Sequence, residues 1–168
     1  MRASEWIKEN VDGCSYLKPE TTELISDFTL MWSVFEASEG NDTELVQQIH
    51  NLSCRLAQDM PLDAVDDLVD YWANRYIRCD KAKEHSRYLK FRDRRQRALV
   101  METLANPDAN LQQKLESCLL IVYRYRNNMF HGLKSILRMN GQKENFIHAI
   151  SLLQRVLSHS GRHVYLSA

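Results

Sequence analysis

The sequence predicts an all-α protein, a helical bundle of five or six helices, and three observations support this. Apolar residues recur at spacings of three and four along most of the 168-residue chain. No stretch alternates apolar and polar residues in the way of a half-buried strand. A hydrophobic content of 44%, with only 5 Gly and 3 Pro, fits one soluble domain and excludes collagen-like or disordered classes. We expect a single domain over 1–168 with its helical core over about 20–160.

The N-terminal half is predicted to hold three helices. The first lies between Pro19 and Gly40, and the second begins at about Asp42. Pro61 suits the first turn of the third, where its missing N–H costs nothing. Their apolar faces are formed in turn by Leu24, Phe28, Met31, Trp32 and Phe35; by Leu45, Ile49, Leu52 and Leu56; and by Leu62, Val65, Leu68, Val69, Trp72 and Tyr76.

The middle of the chain is less regular. Residues 79–90 have weak periodicity, and we expect a loop or a frayed helix there. A fourth helix is predicted over about 88–105 and stops before Pro107, because proline disfavours helix in the residue that precedes it.

The longest periodic run opens at Asp108 and is expected to end or bend at His131-Gly132. After an Asn140-Gly141 turn, a last helix is predicted to end near Gly161. The apolar faces of these two helices are formed by Leu111, Leu115, Leu119, Val122, Met129 and Phe130, and by Phe146, Ile150, Leu153 and Leu157.

Several functional classes have no support in the sequence. The four cysteines are far apart and include no Cys-x-x-Cys pair, so neither a zinc site nor a redox motif is indicated. No stretch reaches the roughly 18–20 apolar residues of a membrane span. The first ten residues lack the apolar run of a secretory signal, so we expect a cytoplasmic protein. No phosphate-cradling glycine loop occurs, and we expect neither a metal nor a cofactor.

Charge is balanced overall but divided along the chain. The 22 basic and 22 acidic residues give a net charge of zero, yet residues 1–74 carry a net charge of −11 and residues 75–97 a net charge of +7. The basic stretch 75–97 also holds Tyr76, Tyr88 and Phe91, so it could neutralise RNA phosphates and stack bases. It could equally be a solvated segment, or pair with a protein or with the acidic half of the chain. The candidate RNA-binding residues are Lys90, Arg92, Arg94, Arg95 and Arg97.

One stretch departs from the pattern of apolar faces. Steps of three and four from Leu115 lead to Arg126, so an arginine occupies a line that is predicted to face the core or an interface. Such a position needs a carboxylate or a ligand anion. Asn127 lies four residues before His131, so these two side chains share a helix face. Arginine, asparagine and histidine together suit phosphoryl transfer on RNA without a metal, with histidine as acid–base group and arginine as phosphate clamp.

The string Arg126-Asn-Asn-Met-Phe-His-Gly132 resembles the signature of the HEPN superfamily, in which an Arg, a polar residue and a later His stand on a late helix of an α-helical bundle. A second, weaker similarity lies in Leu30-Met-Trp-Ser-Val-Phe-Glu-Ala37, which is similar to the tryptophan-rich first core helix of these domains. Active HEPN domains are metal-independent endoribonucleases that cut single-stranded RNA, and two copies of the motif usually meet across a symmetric homodimer. They occur in toxin–antitoxin pairs and in anti-phage defence systems.

The resemblance implies a role for each matching residue. Arg126 would bind the phosphate, His131 would be the acid–base group, and Asn127 would orient it. Glu36 would hold Arg126 or shape the cleft. Asn128 and Tyr123 are candidates for supporting roles.

The implied partners are RNA, a second copy of the chain, and an antitoxin or defence-system protein, with no membrane. Two alternatives are a non-catalytic HEPN-like interaction module and an antitoxin or regulator that binds RNA or a protein. For the regulator, the acidic half would be the docking surface.

Overall fold

The computed structural model describes residues 3–12, 14–39, 44–130 and 139–161. All regular secondary structure in these ranges is helical, which confirms the predicted class. The described α-helices are α1 (Ala3–Asn10), α2 (Pro19–Glu39), α3 (Leu45–Asp59), α4 (Asp66–Ala73), α5 (Ala82–Tyr88), α6 (Arg94–Ala105), α7 (Leu111–Phe130) and α8 (Lys143–His159). These ranges therefore hold eight helices, where the sequence predicted five or six.

The extra helices are short ones that periodicity does not detect. Two turns at the start of the chain form α1, and α5 occupies most of the segment that was expected to be a loop or a frayed helix. A helix of seven or eight residues spans only two turns, too few for a repeating apolar face to emerge. Packing against neighbours, rather than local sequence, decides whether such a segment is helical.

Two predicted boundaries were wrong for local reasons. The helix expected from Pro61 begins only at Asp66, because tight turns occupy residues 61–65 and leave Leu62 80% exposed. The helix expected from residue 88 begins at Arg94, where the Asp93 side chain accepts a 2.7 Å hydrogen bond from the Arg95 N–H and caps the helix. Lys90, just before it, has a φ of 49°, which interrupts helical geometry.

One cluster of buried apolar side chains joins the helices. The long helix α7 lies at its centre, with α3 and α6 packed against it, and α2 packs against α8. Phe28 of α2 meets Phe146 of α8 with ring centroids 5.6 Å apart. The predicted apolar faces of α2, α3 and α7 account for much of this core, including Phe28, Trp32, Phe35, Ile49, Leu52, Leu56, Leu111, Leu115, Leu119 and Val122.

Helix α4 does not stop at Ala73 but continues as one π-helical turn over Asn74–Arg78. The turn closes with a 3.0 Å hydrogen bond from the Cys79 N–H to the Asn74 carbonyl, a spacing of five residues. This π turn brings Arg75 and Tyr76 alongside the C-terminal half of α7.

Candidate functional site at the end of α7

Arg126 stands in the last described turns of α7 and faces α2. Its Nη2 lies 3.5 Å from Oε1 of Glu36, and its Nη1 donates a 3.2 Å hydrogen bond to Oδ1 of Asn127. The structure therefore brings together Arg126, Asn127 and Glu36, three of the residues that the HEPN resemblance selects. The side chains of Arg126 and Glu36 are 33% and 38% exposed, so a ligand from solvent can reach the pair.

The burial expected of Arg126 belongs instead to Arg124. Leu115, Leu119 and Val122 are fully buried, but on the same helical line the Arg126 side chain is 33% exposed. Arg124 is only 7% exposed and donates from Nε to the Leu89 carbonyl at 2.9 Å and from Nη2 to the Lys90 carbonyl at 2.6 Å. Burial lowers the pKa of Arg124, and the two carbonyls stabilise the guanidinium there.

The two supporting candidates on α7 have defined contacts. The amide of Asn128 donates to the Tyr88 carbonyl at 2.8 Å and to the Leu89 carbonyl at 3.3 Å, so it fastens α7 to the segment that follows α5. Tyr123 stacks on Trp32 of α2, with ring centroids 6.2 Å apart and planes 22° apart. Tyr123 therefore packs at the α2–α7 contact, beside the helix that carries Glu36.

His131 lies outside the described residues, as does Gly132. The described part of the HEPN-like motif is therefore Arg126 and Asn127, which lie together with Glu36. A guanidinium at a solvent-accessible helix end can hold a phosphate through paired hydrogen bonds, and a neighbouring amide can orient a phosphate oxygen.

The basic residues Lys90, Arg92, Arg94, Arg95 and Arg97 are all exposed. Within the described ranges none of the five forms an ion pair with a carboxylate. Arg94, Arg95 and Arg97 occupy the first turn of α6, where the helix dipole disfavours cations. A cluster of uncompensated cations in this position favours a phosphate or another external anion.

The basic residues and Arg126 lie on different sides of α7. Arg124 and Asn128, one helical turn apart, face the segment that leads into α6, whereas Arg126 is about 200° further round the helix from Arg124 and faces α2. The chain fold thus places the basic stretch against the motif helix but not on the face of Arg126. Sequence spacing alone could have shown that residues 124 and 126 point apart.

Sequence reasoning did not find Arg124 as a structural anchor, nor the contact between the Tyr76 and Tyr125 hydroxyls on the same side of α7. Both depend on how α5 and the π turn pack against α7, which local patterns do not encode.

Comparison with known proteins adds no relative: this chain matches no protein-family model, no curated protein and no solved structure. None of the helices in the described ranges has both the length and the apolarity needed to cross a membrane.

Proposed function

We propose that this protein is a metal-independent endoribonuclease of the HEPN type, cleaving RNA by attack of the 2′-hydroxyl on the adjacent phosphate. The observation that carries the proposal is the cluster of Arg126, Asn127 and Glu36 at the accessible end of α7. Arg126 and Asn127 belong to the motif that resembles the HEPN signature, and Glu36 lies on the helix with the second similarity.

The chemistry divides between arginine and histidine. A His131 imidazole removes the proton from the 2′-hydroxyl, and the new bond from that oxygen to phosphorus displaces the 5′-oxygen, which takes a proton from the conjugate acid. The products carry a 2′,3′-cyclic phosphate and a 5′-hydroxyl. Arg126 stabilises the negative charge that builds on the phosphoryl oxygens, and Glu36 holds the guanidinium in place between turnovers.

A homodimer would supply a second histidine and so separate the acid from the base. Leu30 and Val34 on α2 are 64% and 42% exposed, although both are apolar. They lie one turn apart on the helix that carries Glu36, but about 120° and 200° round it from Glu36, and covering them in a two-fold contact would bury apolar surface. We propose this part of α2, together with α7, as the dimer interface.

The basic stretch supports RNA as the substrate. The acidic residues of α4 are neutralised within the chain: Asp66 pairs with Lys114, Asp67 with Arg155 and Asp70 with Arg78. The basic residues from Lys90 to Arg97 take no part in those pairs, so they remain available to an external polyanion. A helix with its side chains is about 10–12 Å across, so one RNA strand passing the end of α7 could contact both faces.

The proposal extends to cytoplasmic action in a toxin–antitoxin or anti-phage context, with an antitoxin or defence-system protein as a regulating partner. The position of the basic stretch favours a second candidate function, a non-catalytic interaction module. Because the stretch meets α7 at Arg124 and not at Arg126, its cations could hold an acidic protein instead of RNA.

The test is cleavage of total RNA by the purified protein in EDTA. We expect fragments ending in 2′,3′-cyclic phosphate, and we expect His131→Ala and Arg126→Ala each to lose at least about 100-fold in rate. The matched controls are His159→Ala and Arg78→Ala, which remove a histidine and an arginine on other elements. Cleavage by His131→Ala at the wild-type rate would overturn the proposal, whereas absence of cleavage by the wild type would favour the interaction module.

A further inference from the structure

A cavity of about 630 Å³ lies on the side of α7 opposite Arg126. The π turn, α5, the end of α7 and the start of α8 surround it, and Arg126 is not part of its wall. Among the described residues that line it are Arg75, Tyr76, Tyr125, Met129, Gln142 and Phe146. Its volume is within the 300–1,000 Å³ range of small-molecule sites.

The π turn accounts for the unusual composition of this wall. It places two consecutive residues, Arg75 and Tyr76, at the same cavity. Single π turns within helices are rare and recur at functional sites, because they disturb regular hydrogen bonding to aim particular side chains. The guanidinium carbon of Arg75 lies 6.0 Å from the centroid of the Tyr76 ring.

The charge of Arg75 has no counter-charge within the described residues. No carboxylate there lies within ion-pair distance of Arg75, whereas Arg78, three residues on, pairs with Asp70 at 3.2 Å. The Nε of Arg75 is buried and donates no hydrogen bond to any described residue. Its Nη2 lies 3.5 Å from the Gln142 Oε1, an oxygen that the Asn145 amide also contacts. Arg75 therefore has one buried donor, its Nε, without an acceptor and no carboxylate partner among the described residues, which favours an anionic ligand.

The tyrosines around Arg75 do not supply the missing charge. Burial raises the pKa of Tyr76 to about 12, and burial raises the pKa of Tyr125 well above its ordinary value, so both phenols are neutral at physiological pH. Their hydroxyls contact each other, and because one donates to the other, one O–H remains to donate elsewhere. The carboxylate at the cavity, Glu84, accepts a 3.2 Å hydrogen bond from the Tyr88 hydroxyl.

The rest of the cavity wall mixes polar residues, among them His85, Lys90 and Asn128, with apolar and aromatic ones. Leu89, Met129, Met139 and Phe146 face it alongside the tyrosine rings. An inorganic ion would leave these side chains uncovered, whereas a planar aromatic body would lie against methionine sulfur and aromatic rings. The wall therefore combines the Arg75 guanidinium, and the nearby cation Lys90, with apolar and aromatic surface in a cavity of small-molecule size.

From this arrangement we infer a second site, which binds a small aromatic oxyanion. Its carboxylate or phosphate group meets the Arg75 guanidinium and the free phenolic O–H of the Tyr76–Tyr125 pair, and its ring lies against Met129 and Phe146. Because Tyr125 and Met129 are neighbours of Arg126 on α7, an occupant of this site contacts the same last turns of the helix that carries the proposed nuclease motif.

Isothermal titration calorimetry with four probes tests the site. The probes are 1-naphthyl phosphate, 1-naphthoate, the uncharged 1-naphthol and inorganic phosphate. We expect at least one naphthyl anion to bind at least tenfold more tightly than both 1-naphthol and inorganic phosphate. If 1-naphthol bound as tightly as the two anions, Arg75 would not recognise the charge of the ligand. If inorganic phosphate bound as tightly as 1-naphthyl phosphate, the aromatic ring would contribute nothing to binding. No binding by any probe would overturn the site.

Variants then assign the site to this cavity. Arg75→Met should weaken the bound anion at least tenfold, and Arg78→Met, on the same π turn but paired with Asp70, should leave it unchanged. Equal weakening by both, or by neither, would contradict the assignment. The comparison of the four probes uses only the wild-type protein, so it still tests the site if Arg75→Met fails to fold. None of these measurements uses RNA, so failure of the nuclease proposal and failure of this site can be told apart.

Discussion

Arg124 holds the backbone of Lys90 in a left-handed conformation. The Nη2 of Arg124 donates a 2.6 Å hydrogen bond to the Lys90 carbonyl, while Lys90 itself has a φ of 49°. A non-glycine residue in this region costs on the order of 1–3 kcal/mol and persists only where its surroundings fix it. Here the buried guanidinium of Arg124 fixes the Lys90 backbone. It thereby sets the direction in which the chain runs from α5 into α6.

Replacing this anchor should destabilise the fold. Arg124→Gln removes charge-assisted hydrogen bonds to the Leu89 and Lys90 carbonyls and should lower the free energy of unfolding by about 2–4 kcal/mol. Urea denaturation followed by circular dichroism measures the change. Arg94→Gln, an exposed arginine of α6, is the matched control and should change stability by less than about 0.5 kcal/mol. If Arg124→Gln were as stable as Arg94→Gln, the hydrogen bonds from Arg124 would not stabilise the Leu89–Lys90 segment.

Long helices were predictable from sequence because their signals agree. Pro19 at the start, an apolar face through Phe28 and Phe35, and a glycine just beyond the end predicted α2 to within a residue or two. The short α5 was not predictable, since it depends on contacts with the π turn. The same limit explains why burial was predicted for Arg126 and found for Arg124. Periodicity indicates which residues share a helix face, but it does not show which parts of that face the neighbouring elements cover.

Glu36 should act on cleavage rather than on stability. The pair with Arg126 is partly exposed and 3.5 Å long, so it contributes at most about 1 kcal/mol to folding. If Glu36 positions the guanidinium, Glu36→Gln should lower kcat by about tenfold while KM changes little, and Glu36→Asp should restore part of the rate. Single-turnover cleavage of a short RNA, beside a urea unfolding curve, separates the two effects. A loss of more than 2 kcal/mol with unchanged cleavage would make Glu36 a structural residue.

The four cysteines should fall into two classes of reactivity. Cys14 and Cys118 are fully buried, and burial raises the pKa of the Cys118 thiol, so both should stay unmodified in the native protein. Cys54 and Cys79 are accessible, and each lies near a histidine. The Sγ of Cys54 lies 3.7 Å from Nε2 of His50, whose Nδ1 lies 3.0 Å from Glu116, and the Sγ of Cys79 lies 3.6 Å from Nδ1 of His85.

A carboxylate that holds Nδ1–H leaves Nε2 free to accept a hydrogen bond from the thiol, so we expect His50 to speed the reaction of Cys54 with iodoacetamide. Mass spectrometry of the labelled chain measures the rate at each cysteine. His50→Gln should slow Cys54 by at least about fivefold while leaving Cys79 unchanged. Equal rates at Cys54 in the two proteins would mean that His50 serves only its hydrogen bond with Glu116.

The proposed homodimer should depend on the exposed apolar side chains of α2. Leu30→Glu with Val34→Glu places like charges across a two-fold interface and should convert the dimer into a 19.7 kDa monomer at micromolar concentration. Light scattering coupled to size exclusion measures the mass. Leu62→Glu is the control, because Leu62 is 80% exposed in a turn away from α2. A wild-type protein that is fully active as a monomer would remove the dimer from the mechanism.

The basic stretch should bind the RNA backbone without sequence preference. Replacing Arg92, Arg94, Arg95 and Arg97 by Gln should weaken RNA binding across all sequences and flatten its salt dependence, by about 0.7 in log–log slope for each lost single-strand phosphate contact. The fold should not suffer, because three of these cations lie in the first turn of α6, where they oppose the helix dipole. The chemical step at saturating RNA should change little, since these cations would position the RNA backbone and take no part in proton transfer.

Fluorescence anisotropy with two unrelated single-stranded RNAs, each at three salt concentrations, measures the slope. The double variant Arg78→Gln with Lys143→Gln is the matched control, because both cations are already paired, with Asp70 and Glu20. If the stretch binds a protein instead, the quadruple variant will keep the wild-type slope and lose affinity for its partner or its dimer. The salt slope separates the two models. Removing the four arginines changes the net charge by −4 in either case, but only contacts with RNA phosphates release the counterions that set the slope of RNA affinity against salt.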